Sequence, residues 1–194
     1  MPYTPPHLRT PEQKAEAEKQ RKLAAEIRTG KMVVVGLDQW VNIRKTRFTK
    51  LCTSGILGCV GLVLESPNFI CATHIFDGFE KNWDAYQHQL DLPLAVMGNV
   101  TQATLVISSK IKPIMAREKL LREWLISQNI NTAETLLGNG FIVRKTMTGA
   151  WNIDLKDPSN QFQFLSQSNI VASESGPYVD NWGKLSHHAA DSGV

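Results

Sequence analysis

The chain has no apolar run near the roughly 20 residues needed to span a bilayer, so no membrane insertion is expected. No Sec-type leader is expected, because Met1-Pro2-Tyr3-Thr4-Pro5-Pro6 lacks a basic n-region and an apolar h-region. Export by a non-Sec route leaves no such mark and stays open. Cysteine is scarce: Cys52, Cys59 and Cys71 are three, an odd count, which argues against a disulfide framework and for a reducing compartment. CxxC and HExxH spacings are absent, so no metal and no cofactor is expected, and His187-His188 lies in a polar stretch outside any ligand pattern. An excess of one charge is also lacking. Lys and Arg number 21 against 18 Asp and Glu, a net +3. Both signs mix along 14–28, and the cluster Arg44-Lys45-Thr46-Arg47 is short. A nucleic-acid surface needs a basic stripe or a recognisable motif, so no nucleic-acid partner is expected.

What is present reads as one α+β domain of mixed sheet packed with two or three helices. At 194 residues the chain suits a single core. After a Pro-rich start, Thr10-Pro11-Glu12-Gln13 offers an N-cap, a first-turn proline and a capping-box glutamine, and Thr29-Gly30 offers a stop. Residues 1–30 therefore read as a Pro-rich segment with a helical, solvated arm carrying a narrow stripe of Leu23, Ala24 and Ile27. Short apolar or alternating runs predict strands over 32–35, 47–51, 60–64, 68–73, 104–107, 132–137, 140–145 and 151–155, with another over 162–171. Helices are predicted over 84–90 and 114–128, the second from Leu121, Trp124 and Leu125 at helical spacing. The catalytic domain is placed at 31–172 and a polar tail at 173–194.

One segment carries chemistry. In Thr53-Ser54-Gly55-Ile56-Leu57-Gly58-Cys59-Val60-Gly61, a thiol follows a small-residue turn and precedes an apolar run. His74 ends the next apolar run, fifteen residues on. A thiol, an imidazole and a hydroxyl near one turn are the parts of a cysteine hydrolase: a nucleophile, a base within reach, and a group that orients the base. Gly58 lets backbone approach a substrate closely, as an oxyanion site requires. A hairpin centred near residue 66 places Cys59 directly opposite His74. Cys52 and Cys71 have no such turn and read as core, Asp77 and Glu80 as solvated carboxylates, and His88 as surface.

These residues resemble the bacterial chemoreceptor glutamine deamidases (the CheD family). The similarity lies in Thr53, the glycine-flanked Cys59 and its apolar strand, then Ala72-Thr73-His74. It continues through helix 114–128, Ile130-Asn131-Thr132-Ala133-Glu134, Gly138-Asn139-Gly140 and Thr148-Gly149, covering about 31–156. The Leu57-Gly58-Cys59 piece and its spacing to His74 are also similar to the cytotoxic necrotizing factor toxins. The resemblance implies a CheD-like hydrolase fold and a cofactor-free glutamine deamidase. Cys59 would be the nucleophile, His74 the base and Thr53 the third member, with Ser54 as the substitute. Gly58 and Ser54 would face substrate. The partner would be a protein with an accessible glutamine, a chemoreceptor or a host signalling protein, reached in the bacterial cytoplasm or as an exported effector. Gly58 stands where the family has Ser, and Phe69-Ile70, Ile75-Phe76-Asp77 and Phe141 also depart from its pattern, which leaves the substrate open and opens a reading as an effector or toxin relative rather than a chemotaxis enzyme. The alternatives are another Cys–His hydrolase or acyltransferase, such as a protease or transglutaminase, and a silent deamidase-like binding module.

Overall fold

A computed structural model of the chain describes residues 10–29, 31–131, 133–155 and 179–185. The fold is α+β, with ten strands in two mixed sheets and three α-helices among the described residues. The strands are β1 (Met32–Val34), β2 (Gln39–Arg44), β3 (Lys50–Ser54), β4 (Val60–Glu65), β5 (Phe69–Ile75), β6 (Gln102–Ile107), β7 (Ala133–Leu137), β8 (Gly140–Lys145), β9 (Trp151–Asp154) and β10 (Asn181–Lys184). The helices are α1 (Pro11–Arg28), α2 (Trp83–Met97) and α3 (Lys112–Ser127), and a 3-10 turn spans Phe79–Asn82.

The larger sheet has the order β10-β2-β5-β4-β6-β7, and the smaller β1-β3-β8-β9. Period-two alternation sorts the residues of β4 and β5 between two cores. Val60, Leu62 and Leu64 of β4 and Cys71 and Ile75 of β5 face α2 and α3, meeting Tyr86, Leu90, Leu121 and Trp124. Val63, Ile70 and Ala72 face the other way, against Val33, Leu51, Phe141 and Val143 of the smaller sheet. The result is three layers: helices, six-stranded sheet, four-stranded sheet. Both faces of β4 and β5 are covered, which is why their sequences read as unbroken apolar runs. Each fully buried Leu, Ile or Phe here contributes about 1.5–3 kcal/mol.

Several expectations change. The β4–β5 register pairs Val60 with Ile75 and Gly61 with His74, so Cys59 is not directly opposite His74. The turn spans Ser66 to Phe69, closed by the Phe69 amide on Ser66 Oγ at 3.1 Å, and this centres the hairpin further along the chain than expected. The shift is even, so the face of every residue survives. The third strand is Lys50–Ser54 rather than 47–51, which puts Thr53 inside it. The strand β2 is unforeseen because Gln39, Asn42 and Arg44 break its apolar pattern. α2 extends to Met97, through Pro93. The segment taken as a polar tail contains β10, pinned where Asp180 meets both Arg44 and Arg47. The predicted strand 162–171, Gly30 as a helix stop, and His187-His188 lie outside the described residues.

The capping box at Thr10 forms as read: the Thr10 amide donates to Gln13 Oε1 at 3.0 Å, and the Gln13 amide donates to Thr10 Oγ1 at 3.3 Å. The arm is tied down at its far end, where Lys50 Nζ lies 3.0 Å from both Glu26 carboxylate oxygens.

Candidate active site

β3 ends at Ser54, and Gly55, with φ +77°, reverses the chain into the loop that delivers Cys59 to the start of β4. A side chain at Gly55 would be strained by that left-handed backbone. Cys59 packs against the inter-sheet core. His74 lies on the same face of the adjacent strand, opposite Gly61 and hence a diagonal neighbour of Cys59, about 7–8 Å away in a regular antiparallel pair. The pair is not hydrogen-bonded at rest. Gly61 is the floor between them. A Cβ there would come within 2.4 Å of the Phe141 ring and 2.8 Å of the Ile56 Cδ1.

Thr53 reaches His74 from the other sheet. Its hydroxyl donates to the Val35 carbonyl at 2.8 Å, so its oxygen accepts from His74 Nδ1–H, also at 2.8 Å. A hydroxyl has one proton, and the bond to Val35 uses it. That fixes the tautomer: Nδ1 holds the proton and Nε2 holds a lone pair. Nε2 is buried and makes no hydrogen bond among the described residues. This is the arrangement a general base needs, with one ring nitrogen anchored and the other free. Thr53, not Ser54, is the residue that bonds to His74.

Electrostatics sets the resting protonation. His74 is only 5% exposed, and burial pushes its pKa down to about 4. Burial also raises the Cys59 thiol, to about 11, with the Asp77 and Asp38 carboxylates adding to the rise. The Asp77 main-chain N–H and Arg117 act in the opposite direction. The resting pair is therefore a neutral thiol and a neutral imidazole. An ion pair is not pre-formed, so any attack by this thiol would have to move its proton as well. Cys52 and Cys71 are fully buried and free, and desolvation raises both thiols, Cys71 to about 12.

Four neighbours were not expected as site residues. Asp38 is buried beside the base: its amide donates to the His74 carbonyl at 2.7 Å, and its carboxylate accepts from the Phe76 amide at 3.0 Å and from Tyr86 Oη at 3.2 Å. Asp77 packs on Gly58, where an added Cβ would lie 2.9 Å from Asp77 Oδ2. Glu80, expected to be solvated, instead holds Arg117 through two bonds of 2.9 and 3.0 Å. The sequence does carry a signal for Arg117. It falls on the buried stripe of α3 between Ile114 and Leu121, where helical periodicity calls for an apolar residue.

A rim of exposed apolar side chains lies at the strand ends that carry the pair. Leu57 is 71% exposed, and its carbonyl accepts from Ser108 Oγ. Leu137, beside the Gly138 amide that donates to Ile107 O, and Leu37, beside Asp38, are also exposed. A cleft of about 340 Å³ between the sheets, lined by Val63, Glu65, Glu134 and Trp151, is toward the other end of β4 and begins about 13 Å from the thiol by strand rise. It is remote from this chemistry. No family model matches the chain, and a search of the curated proteins finds no match.

Proposed function

We propose that the chain is a cysteine-dependent protein-glutamine deamidase. The observation that carries this reading is the Thr53–His74 bond, which leaves Nε2 unpartnered on the face shared with Cys59. The CheD-like sequence pattern supplies the glutamine. Cys59 Sγ adds to the side-chain amide carbon while Nε2 takes the thiol proton. Two electrons move onto the carbonyl oxygen and are held there by backbone N–H groups. The oxyanion collapses, the C–N bond breaks, and Nε2–H passes its proton to nitrogen, which departs as ammonia. Water then gives a proton to Nε2 and attacks the thioester. Glutamate leaves, and Cys59 recovers its proton from His74. The net change is one amide and one water to one carboxyl group and one ammonia.

The apolar rim supports a protein substrate. Free glutamine would be recognised through its α-amino and α-carboxyl charges, whereas Leu37, Leu57 and Leu137 offer contact to a partner's apolar surface. A chemoreceptor or a host signalling protein fits this class.

Intact-mass measurement on folded proteins with exposed glutamines tests the reading. Deamidation adds about 1 Da per glutamine and releases equimolar ammonia, and Cys59→Ser abolishes both. Backbone fragments would instead identify a protease, and uptake of added methylamine a transglutaminase. A Cys59 inert toward every acyl donor would identify a binding module.

A further inference from the structure

We propose that Arg117 is a positioning residue that aims the Cys59 amide as an oxyanion donor. The inference rests on the reading of Cys59 as an acyl-accepting nucleophile, and extends it to the group that stabilises the negative oxygen.

Arg117 Nη1 donates to the Gly58 carbonyl at 2.7 Å. That carbonyl belongs to the Gly58–Cys59 peptide. The peptide is planar and trans, so its N–H points opposite to its C=O. Holding the Gly58 oxygen toward α3 turns the Cys59 amide away from α3. No hydrogen bond from that amide is found among the described residues. A nucleophile's own backbone N–H is one of the donors acyl-transfer enzymes use.

The guanidinium can do this because its geometry is over-determined. Nε and Nη2 are both taken by Glu80, and Nη1 is left pointing at one acceptor. Planarity makes the third direction a consequence of the other two. A lysine has no such fork. The location is also costly: Arg117 sits on the apolar stripe of α3 and its side chain is only 12% exposed. A charge there needs a partner to offset desolvation. Glu80 supplies that, and the carbonyl contact is made in addition. Gly58 contributes by having no Cβ against Asp77 Oδ2, so the peptide can lie flat between Arg117 and the loop.

The test compares two reactions of the same thiol. Acylation of Cys59 by p-nitrophenyl acetate passes through a tetrahedral oxyanion, while alkylation by iodoacetamide does not. Arg117→Ala and Glu80→Gln are both expected to slow the acylation burst by about tenfold or more. Alkylation at Cys59 should fall by no more than about threefold, its pH profile moving slightly upward in Arg117→Ala because the guanidinium's charge, which lowers the thiol, is gone. Arg117→Lys should not restore acylation. Thermal melts check that the variants are folded, and Glu80→Gln keeps the helix intact where Arg117→Ala unfolds. A parallel fall in both reactions would show that Arg117 only tunes or packs the thiol, and would overturn the proposal. So would an unchanged acylation burst. If wild-type Cys59 alkylates but is not acylated, both the nucleophile reading and this inference are lost. If acylation behaves as described but no glutamine is deamidated, only the substrate assignment is lost.

Discussion

Thr53 uses its hydroxyl twice, and the two bonds have separable consequences. Thr53→Val keeps the shape and removes both. His74 then loses the acceptor that fixes its tautomer, and two buried polar groups lose a partner, at a cost of about 1–3 kcal/mol. Cys59 acylation is expected to fall by about 10²-fold or more, and Thr53→Ser should recover most of it. Stopped-flow ester kinetics read this directly. The thiol makes a second residue-scale prediction. A resting thiolate–imidazolium pair would alkylate at a pH-independent rate above neutrality. Here the raised thiol, near 11, predicts alkylation that climbs about tenfold per pH unit from 7 to 10. Iodoacetamide rates with peptide mapping check it, and Cys59 should far outpace the fully buried Cys52 and Cys71. Cys59, His74 and Thr53 were readable from the sequence because a turn and two short strands hold them close along the chain. The Val35 carbonyl was not, because backbone acceptors carry no residue signature, and Arg117 showed only as a charge on the buried stripe of α3, with nothing local to link it to Gly58.

At the scale of elements, the β4–β5 hairpin matters most, and its glycine more than its turn. Gly61 lies under the Phe141 ring with no space for a methyl group. Gly61→Ala is expected to cost about 1–3 kcal/mol through overpacking, and to spread Cys59 from His74. Urea denaturation measures the first effect and the acylation rate the second. The hairpin also shows how far local pattern reaches. Apolar runs located both strands, and the turn residues located the bend. The register depended on how Ser66 closes the turn, which composition does not encode. The same holds for β2, where Asn42 is fully buried, and for β10, which exists because an aspartate found two arginines more than 130 residues away.

For the whole molecule, the buried imidazole ties folding to pH. His74 titrates at about 4 in the fold against an ordinary value of 6.5, so the unfolded chain binds the proton first as pH falls. Stability is therefore lost between pH 6.5 and about 4, and the loss is complete below that. At about 1.4 kcal/mol per pH unit the total is roughly 3 kcal/mol. Melting temperatures of wild type and His74→Phe across this range should show a steeper acid decline for wild type.

The anchor of the His74 imidazole imposes an order on synthesis. Cys59 and His74 belong to neighbouring strands and leave the ribosome almost together. Thr53 stands on β3, whose other partner besides the three-residue β1 is β8, with Thr53 opposite Phe141. Until β8 emerges, β3 has no stable sheet to join. A nascent chain thus carries its thiol and imidazole for roughly seventy residues of translation before the imidazole is oriented. An enzyme that attacks protein amides would be born latent beside the nascent chains around it, and would become competent only when its own second sheet closes.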